Sequence, residues 1–207
     1  NTVLSVFEDV DKNVWLGLDN GINLINFTSP LKIFVNKKDF LGIIYTSTIY
    51  NEYLYLGTNQ GLFYKKYNSK DEFAFIKKTQ GQVWSLKVMD GTLFCGHDSG
   101  TFIINNNKAN LIFNIQGTWA FKQLKNNLII QGNYDGLYVL QKDENTWRLR
   151  NKIKGFKKSS RYFILLENDK IFVNHEYKGV FKLKIDASYS TVLETEKDAS
   201  VKKGIHS

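Results

Sequence analysis

His97, Asp98 and Ser99 stand side by side, and together they carry the three groups of a hydrolytic triad. A triad needs those groups convergent in space, and neighbours on one turn project apart. A hairpin turn accounts for them better. The three histidines, His97, His175 and His206, are widely spaced, and no Asp/Glu cluster has the spacing of metal ligands. No glycine-rich phosphate loop leads a strand into a helix. Cys95 is the single cysteine, which excludes an internal disulfide and a Cys-rich zinc module. The expectation is no catalytic residue, no metal and no cofactor.

A second group of residues suits binding. Tyr45, Trp84, Trp119, Arg161 and Tyr162 are ring-bearing or planar, and Asn59, Gln60, His97, Asp98, Asn133, Tyr134, Asp135 and Tyr177 surround them with amides, charges and phenols. Asp19 and Asn20 extend the set. Aromatic plates beside such groups suit a sugar, whose ring face covers an aromatic while its hydroxyls meet amides and charges. The same aromatics could instead pack between layers of the fold.

What gathers these residues is a repeat. The phrase at 14–25 returns at 55–64, 94–104, 129–140 and, degraded, at 171–183. Its second glycine falls at Gly21, Gly61, Gly100, Gly136 and Gly179, at spacings of 40, 39, 36 and 43. Each unit parses into short strands broken by Asn/Asp/Gly turns, near 3–8, 13–18, 21–26 and 31–35 in the first. Four strands in about 40 residues make one blade of a β-propeller. The fold class is therefore all-β, with five four-stranded antiparallel modules at about 1–38, 39–78, 79–115, 116–156 and 157–196, and with 197–207 opening a further module.

The second strand of each unit explains the stacking. Trp15, Tyr55, Phe94, Ile130 and Phe172 occupy one face, and Leu16, Leu56, Cys95 and Ile129 lie on the other. Side chains alternate along a strand, so both faces are apolar and both must be covered, as in blades packed around an axis. In such an arrangement the hairpins between second and third strands share a face with the segments leading into each innermost strand. That face collects the binding set. An open arc would leave two apolar faces to be covered by further blades or a second copy.

Composition narrows the partners. The 207 residues are 43% hydrophobic and carry a net charge of +8, nearly all of it lysine, with Arg148, Arg150 and Arg161 the only arginines. Scattered lysines read as solvated surface, so no direct nucleic-acid binding is expected. No apolar run approaches the roughly 20 residues that span a bilayer, so no membrane insertion is expected. The chain opens at Asn1 in mid-pattern, as a segment of something longer would.

Residues 1–25, with Asn1, Val3, Asp9, Trp15, Gly17 and Gly21, resemble the two-component regulator propeller repeat. That pattern runs Asn-x-Val-x-x-Ile-x-x-Asp-x-x-Gly-x-Leu-Trp-Ile-Gly-Thr-x-x-Gly-Leu. The departures are Lys12 and Asn13 at the turn and Leu18 for the usual Thr. The resemblance implies the extracytoplasmic sensor region of a membrane-anchored bacterial regulator, in rings of about seven blades. It also implies a Tyr-rich sandwich, a membrane helix and a kinase or helix–turn–helix output domain elsewhere, and an oligosaccharide stimulus. The expected function is non-catalytic ligand sensing on the loop face, with homodimer formation as a further expectation. The alternatives are a protein-interaction propeller and an accessory propeller of a carbohydrate-active enzyme, the last requiring paired carboxylates in one cleft.

Overall fold

Runs of aromatic and β-branched residues, cut by Asn, Asp and Gly, fold as meanders of short antiparallel strands. The computed structural model describes residues 2–30, 41–125, 127–167 and 169–201, in two units, Asn1–Lys38 and Asp39–Ser207.

The first unit is one sheet of β1 (Val3–Glu8), β2 (Val14–Leu18) and β3 (Gly21–Ile25), in that order. The expected strand at 31–35 lies outside the described residues. The β1–β2 turn is organised by Asp9. Its carboxylate accepts the amides of Asp11 and Asn13, both at 2.9 Å, and the Trp15 indole N–H at 2.8 Å. That indole bond is the main force lowering the Asp9 pKa. Lys12, standing where the repeat pattern has glycine, takes a left-handed backbone at φ 65°.

The second unit holds four sheets, each a four-stranded meander in chain order. They are β4 (Ile44–Tyr50), β5 (Tyr53–Thr58), β6 (Leu62–Lys66) and β7 (Ala74–Phe75); then β8 (Val83–Met89), β9 (Thr92–His97), β10 (Gly100–Asn105) and β11 (Lys108–Phe113). The third is β12 (Ala120–Lys125), β13 (Leu128–Asn133), β14 (Gly136–Asp143) and β15 (Thr146–Lys152). The fourth is β16 (Tyr162–Leu166), β17 (Lys170–His175), β18 (Gly179–Ile185) and β19 (Val192–Lys197). These are propeller blades. Lys197 still pairs with Phe181 and Asp198 N donates to Val180 O, so 197–198 finish this sheet and do not open a further module.

The cores lie between sheets, as the two-faced second strands require. On β9, Leu93 and Cys95 pack with Tyr55 and Leu62 of the preceding sheet. Phe94 points the opposite way, against Phe121 and Trp147 of the following one, at ring separations of 5.6 and 5.2 Å. One step on, Ile129 joins the Phe94 cluster and Ile130 packs with Ile171 and Val173. Burial pushes the Cys95 thiol pKa far up, as suits an inert core residue.

At Gly57, Gly96 and Gly132 the first glycine of the phrase lets the next blade come close. A Cβ on Gly132 would lie 1.9 Å from the Ser160 carbonyl oxygen, and one on Gly96 would lie 2.7 Å from that of Thr118. The fourth of these sheets has Asn174 in the same slot, paired with Tyr162 as Gly132 is with Ala120.

Candidate functional site

In the first two sheets of the second unit the lead-in to the innermost strand is anchored by its own hairpin, and a break in register then re-aims one side chain. Asn59 N donates to Ile43 O at 3.0 Å while Ile43 N donates to Asn59 Oδ1 at 2.7 Å. In the next sheet Asp98 N donates to Gln82 O at 3.0 Å. Pairing then jumps from Ile44 to Thr46 and from Val83 to Ser85, so Tyr45 and Trp84 are the extra residues of β-bulges. Bulges re-aim side chains. Trp119 and Arg161 hold the matching position, immediately before the first ladder pairs of Ala120 and Tyr162.

These re-aimed groups meet. The Trp84 and Trp119 rings stack 3.6 Å apart at 10°. The Arg161 guanidinium lies 4.4 Å from the Trp119 ring centre and 4.9 Å from that of Tyr162. Trp84, Trp119, Arg161 and Tyr162 thus form one column drawn from three consecutive sheets. Tyr134 sits beside it, at 5.8 and 5.6 Å from the two indoles and nearly perpendicular to both. That position exists because position 117 is glycine, at φ +86: a Cβ there would lie 2.2 Å from the Tyr134 ring. None of the column residues belongs to the buried clusters between the sheets.

A cleft of about 540 Å³ opens along the column, lined by Tyr45, Gln82, Trp84, Trp119, Ala120, Arg161 and Tyr162. Gln82 accepts the Trp84 indole N–H at 3.0 Å. Glu176, mostly buried, lies 3.9 Å from Arg161. Burial is the first cause raising the Tyr134 pKa; the charges of Asp98 and Glu176 add to it and Arg161 opposes it. The site is therefore an aromatic and cationic wall with amide and carboxylate edges, able to hold a ligand by stacking and hydrogen bonding.

Tyr45, Trp84, Trp119, Tyr134, Arg161 and Tyr162 are brought together. Others of the expected set are engaged locally. His97 is buried, with Nε2 on the Thr79 carbonyl at 3.3 Å and Nδ1 accepting the Ser99 amide at 3.0 Å. Burial lowers its pKa, against the opposing pull of Asp98. Asn133 is buried too, in a network with Gln131, Thr118 and the Gln116 carbonyl that reaches Thr101 of the preceding sheet. Asp135 turns to its own sheet, accepting the Tyr138 hydroxyl and pairing with Lys152. Asn59 Oδ1 serves Ile43, and Gln60 and Tyr177 are exposed away from the cleft lining. Gln82 and Glu176 were outside the sequence-based set. Glu176 occupies the hairpin slot of Asn59, Asp98 and Tyr134, a register the degraded fifth phrase obscures. Among the described residues no group of three His, Cys, Asp or Glu could hold a metal, and no helix is long and apolar enough to cross a membrane.

No protein-family model and no curated protein matches the chain. Solved structures share its fold. The extracellular domain of BT3049, assigned to a hybrid two-component system of B. thetaiotaomicron, is 19% identical with a TM-score of 0.55, over 92% of this chain and 29% of that one. The extracellular domain of BT4673, assigned to a one-component system of the same organism, is 17% identical with a TM-score of 0.55, over 94% and 27%. The computationally designed protein Ika4 is 15% identical with a TM-score of 0.55, over 75% and 99%. The chain thus spans under a third of the length of the two natural relatives.

Proposed function

We propose that this chain is a non-catalytic, ligand-sensing propeller segment of an extracytoplasmic bacterial regulator. Two lines support the setting: the regulator-type repeat in residues 1–25, and a fold shared with extracellular domains of two-component and one-component systems. The observation that carries the binding role is the column of Trp84, Trp119, Arg161 and Tyr162 along an open cleft. Core aromatics would be enclosed; these are half-buried and line the cleft, Trp84 as the extra residue of a bulge.

The ligand class is a small oligosaccharide, its apolar C–H faces on the indoles and its hydroxyls on Gln82, Arg161 and Tyr45. Because the column joins three blades, a ligand that braces it stiffens their mutual packing. That change is what an output domain outside this segment would receive. Localisation follows the same reading: outside the cytoplasm, as part of a membrane-anchored protein.

The test is thermal unfolding against a panel of oligosaccharides. A binder at 100 times its Kd adds about 2.7 kcal/mol of stability. Stabilisation by at least one panel member, lost in Trp119→Ala, supports the reading. Stabilisation that persists in Trp119→Ala places the ligand elsewhere and overturns it.

A further inference from the structure

The column has an unfilled end. Tyr134 is almost equidistant from the two stacked indoles, so it flanks the pair and caps neither. Arg161 contacts Trp119 and Tyr162, so it covers the face of Trp119 opposite Trp84. The outer face of Trp84 is therefore the end of the stack. Beyond it, on the preceding sheet, Tyr45 holds the same bulged position as Trp84 and lines the same cleft, 44% exposed. Among the described residues no ring contact joins Tyr45 to Trp84. Where Trp84 and Trp119 meet plate against plate, this step makes no ring contact and opens on the cleft.

We infer that the space between Tyr45 and Trp84 is a subsite for a flat heteroaromatic ring, which completes the column from Tyr45 to Tyr162. This rests on reading the cleft as a ligand site and names a chemistry for one end of it. The plates already present set a parallel geometry at 3.6 Å, the spacing of planar π systems. A puckered sugar ring with axial substituents fits between two plates less closely than a planar one. The Trp84 indole donates its N–H to Gln82 Oε1, which enriches the ring in electrons and favours an electron-poor partner. With its oxygen so engaged, Gln82, which lines the cleft, has its amide N–H groups to donate to a ring carbonyl or ring nitrogen. An isoalloxazine, pterin or purine ring has these properties.

Riboflavin is a direct probe, because its emission is quenched when it stacks on an indole. Titrating the chain into riboflavin is expected to give saturable quenching. Trp84→Leu is expected to weaken it tenfold or more, and Tyr45→Ala several-fold, while Trp15→Phe in the first unit leaves it unchanged. Tyr45 is exposed, so its variant reports on the subsite even if Trp84→Leu fails to fold. Quenching that does not saturate, or that is equal in Tyr45→Ala and wild type, overturns the inference. If an oligosaccharide stabilises the chain through Trp119 and riboflavin does not bind, the planar subsite falls and the sensor reading stands. If riboflavin binds as expected and no oligosaccharide does, the planar ring replaces sugar as the ligand chemistry.

Discussion

Trp84 and Trp119 lie face to face at 3.6 Å, although each leads into the innermost strand of a different sheet. Neither sheet alone could make this pair, so its presence reports how two blades are set against each other.

Two parallel indoles this close couple electronically. Near-ultraviolet circular dichroism is expected to show a strong tryptophan couplet in the native chain. Trp119→Phe should remove it while leaving far-ultraviolet strand content intact. A native spectrum without a couplet would contradict the stack.

Phe94 is fully buried between the Leu93/Cys95 layer and the rings of Phe121 and Trp147. Phe94→Ala should cost about 3–5 kcal/mol, the usual range for a core aromatic. Denaturant unfolding gives the number. A loss below about 1 kcal/mol would mean that these two sheets do not share a core.

Gly132→Ala is expected to be severely destabilising, because the added Cβ would meet a backbone carbonyl at 1.9 Å and not a movable side chain. Gly91→Ala is the contrast: nothing lies within 4 Å of its Cβ, and its cost should come only from φ +66. Equal unfolding midpoints for the two variants would argue against close blade approach.

Stability should fall as pH drops below about 6.5. Burial holds the folded pKa values of His97 and His175 below the ordinary histidine value of 6.5. In the window beneath that value the unfolded chain binds more protons than the folded one, so protonation favours unfolding. Stability is thus fully present above 6.5 and is lost towards the lowered folded values. Thermal midpoints measured from pH 7.5 to 5 should decline, and His97→Gln should flatten the curve. A midpoint that rises on acidification would contradict the buried, neutral imidazoles.

The cores were legible because alternation along a strand is a sequence property: Leu93, Phe94 and Cys95 declare two apolar faces without any coordinates. The direction of Tyr45, Trp84 and Trp119 was not. A tryptophan that packs between sheets and one that stacks on the loop face are the same letter, and the bulge that separates them is a matter of backbone register. His97 and Asn133 sit at hairpins, where polar residues are usually solvated. Here Thr79 and Ser99 bond His97, and Gln131, Thr118 and Gln116 bond Asn133, inside the fold. Glu176 went unseen because the fifth phrase has lost its glycine to Asn174, which blurs the alignment that equates it with Asp98.

The central claim is that ligands meet the Trp84–Trp119 column. The chain has four tryptophans, and two of them stand elsewhere: Trp147 in a core, Trp15 on Asp9. Indole N–H resonances in a ¹⁵N-labelled sample therefore give four separate reporters. On adding a compound that raises the unfolding temperature, the signals of Trp84 and Trp119 should shift in a saturable way while those of Trp15 and Trp147 hold still. Stabilisation with both column signals unmoved would contradict the account.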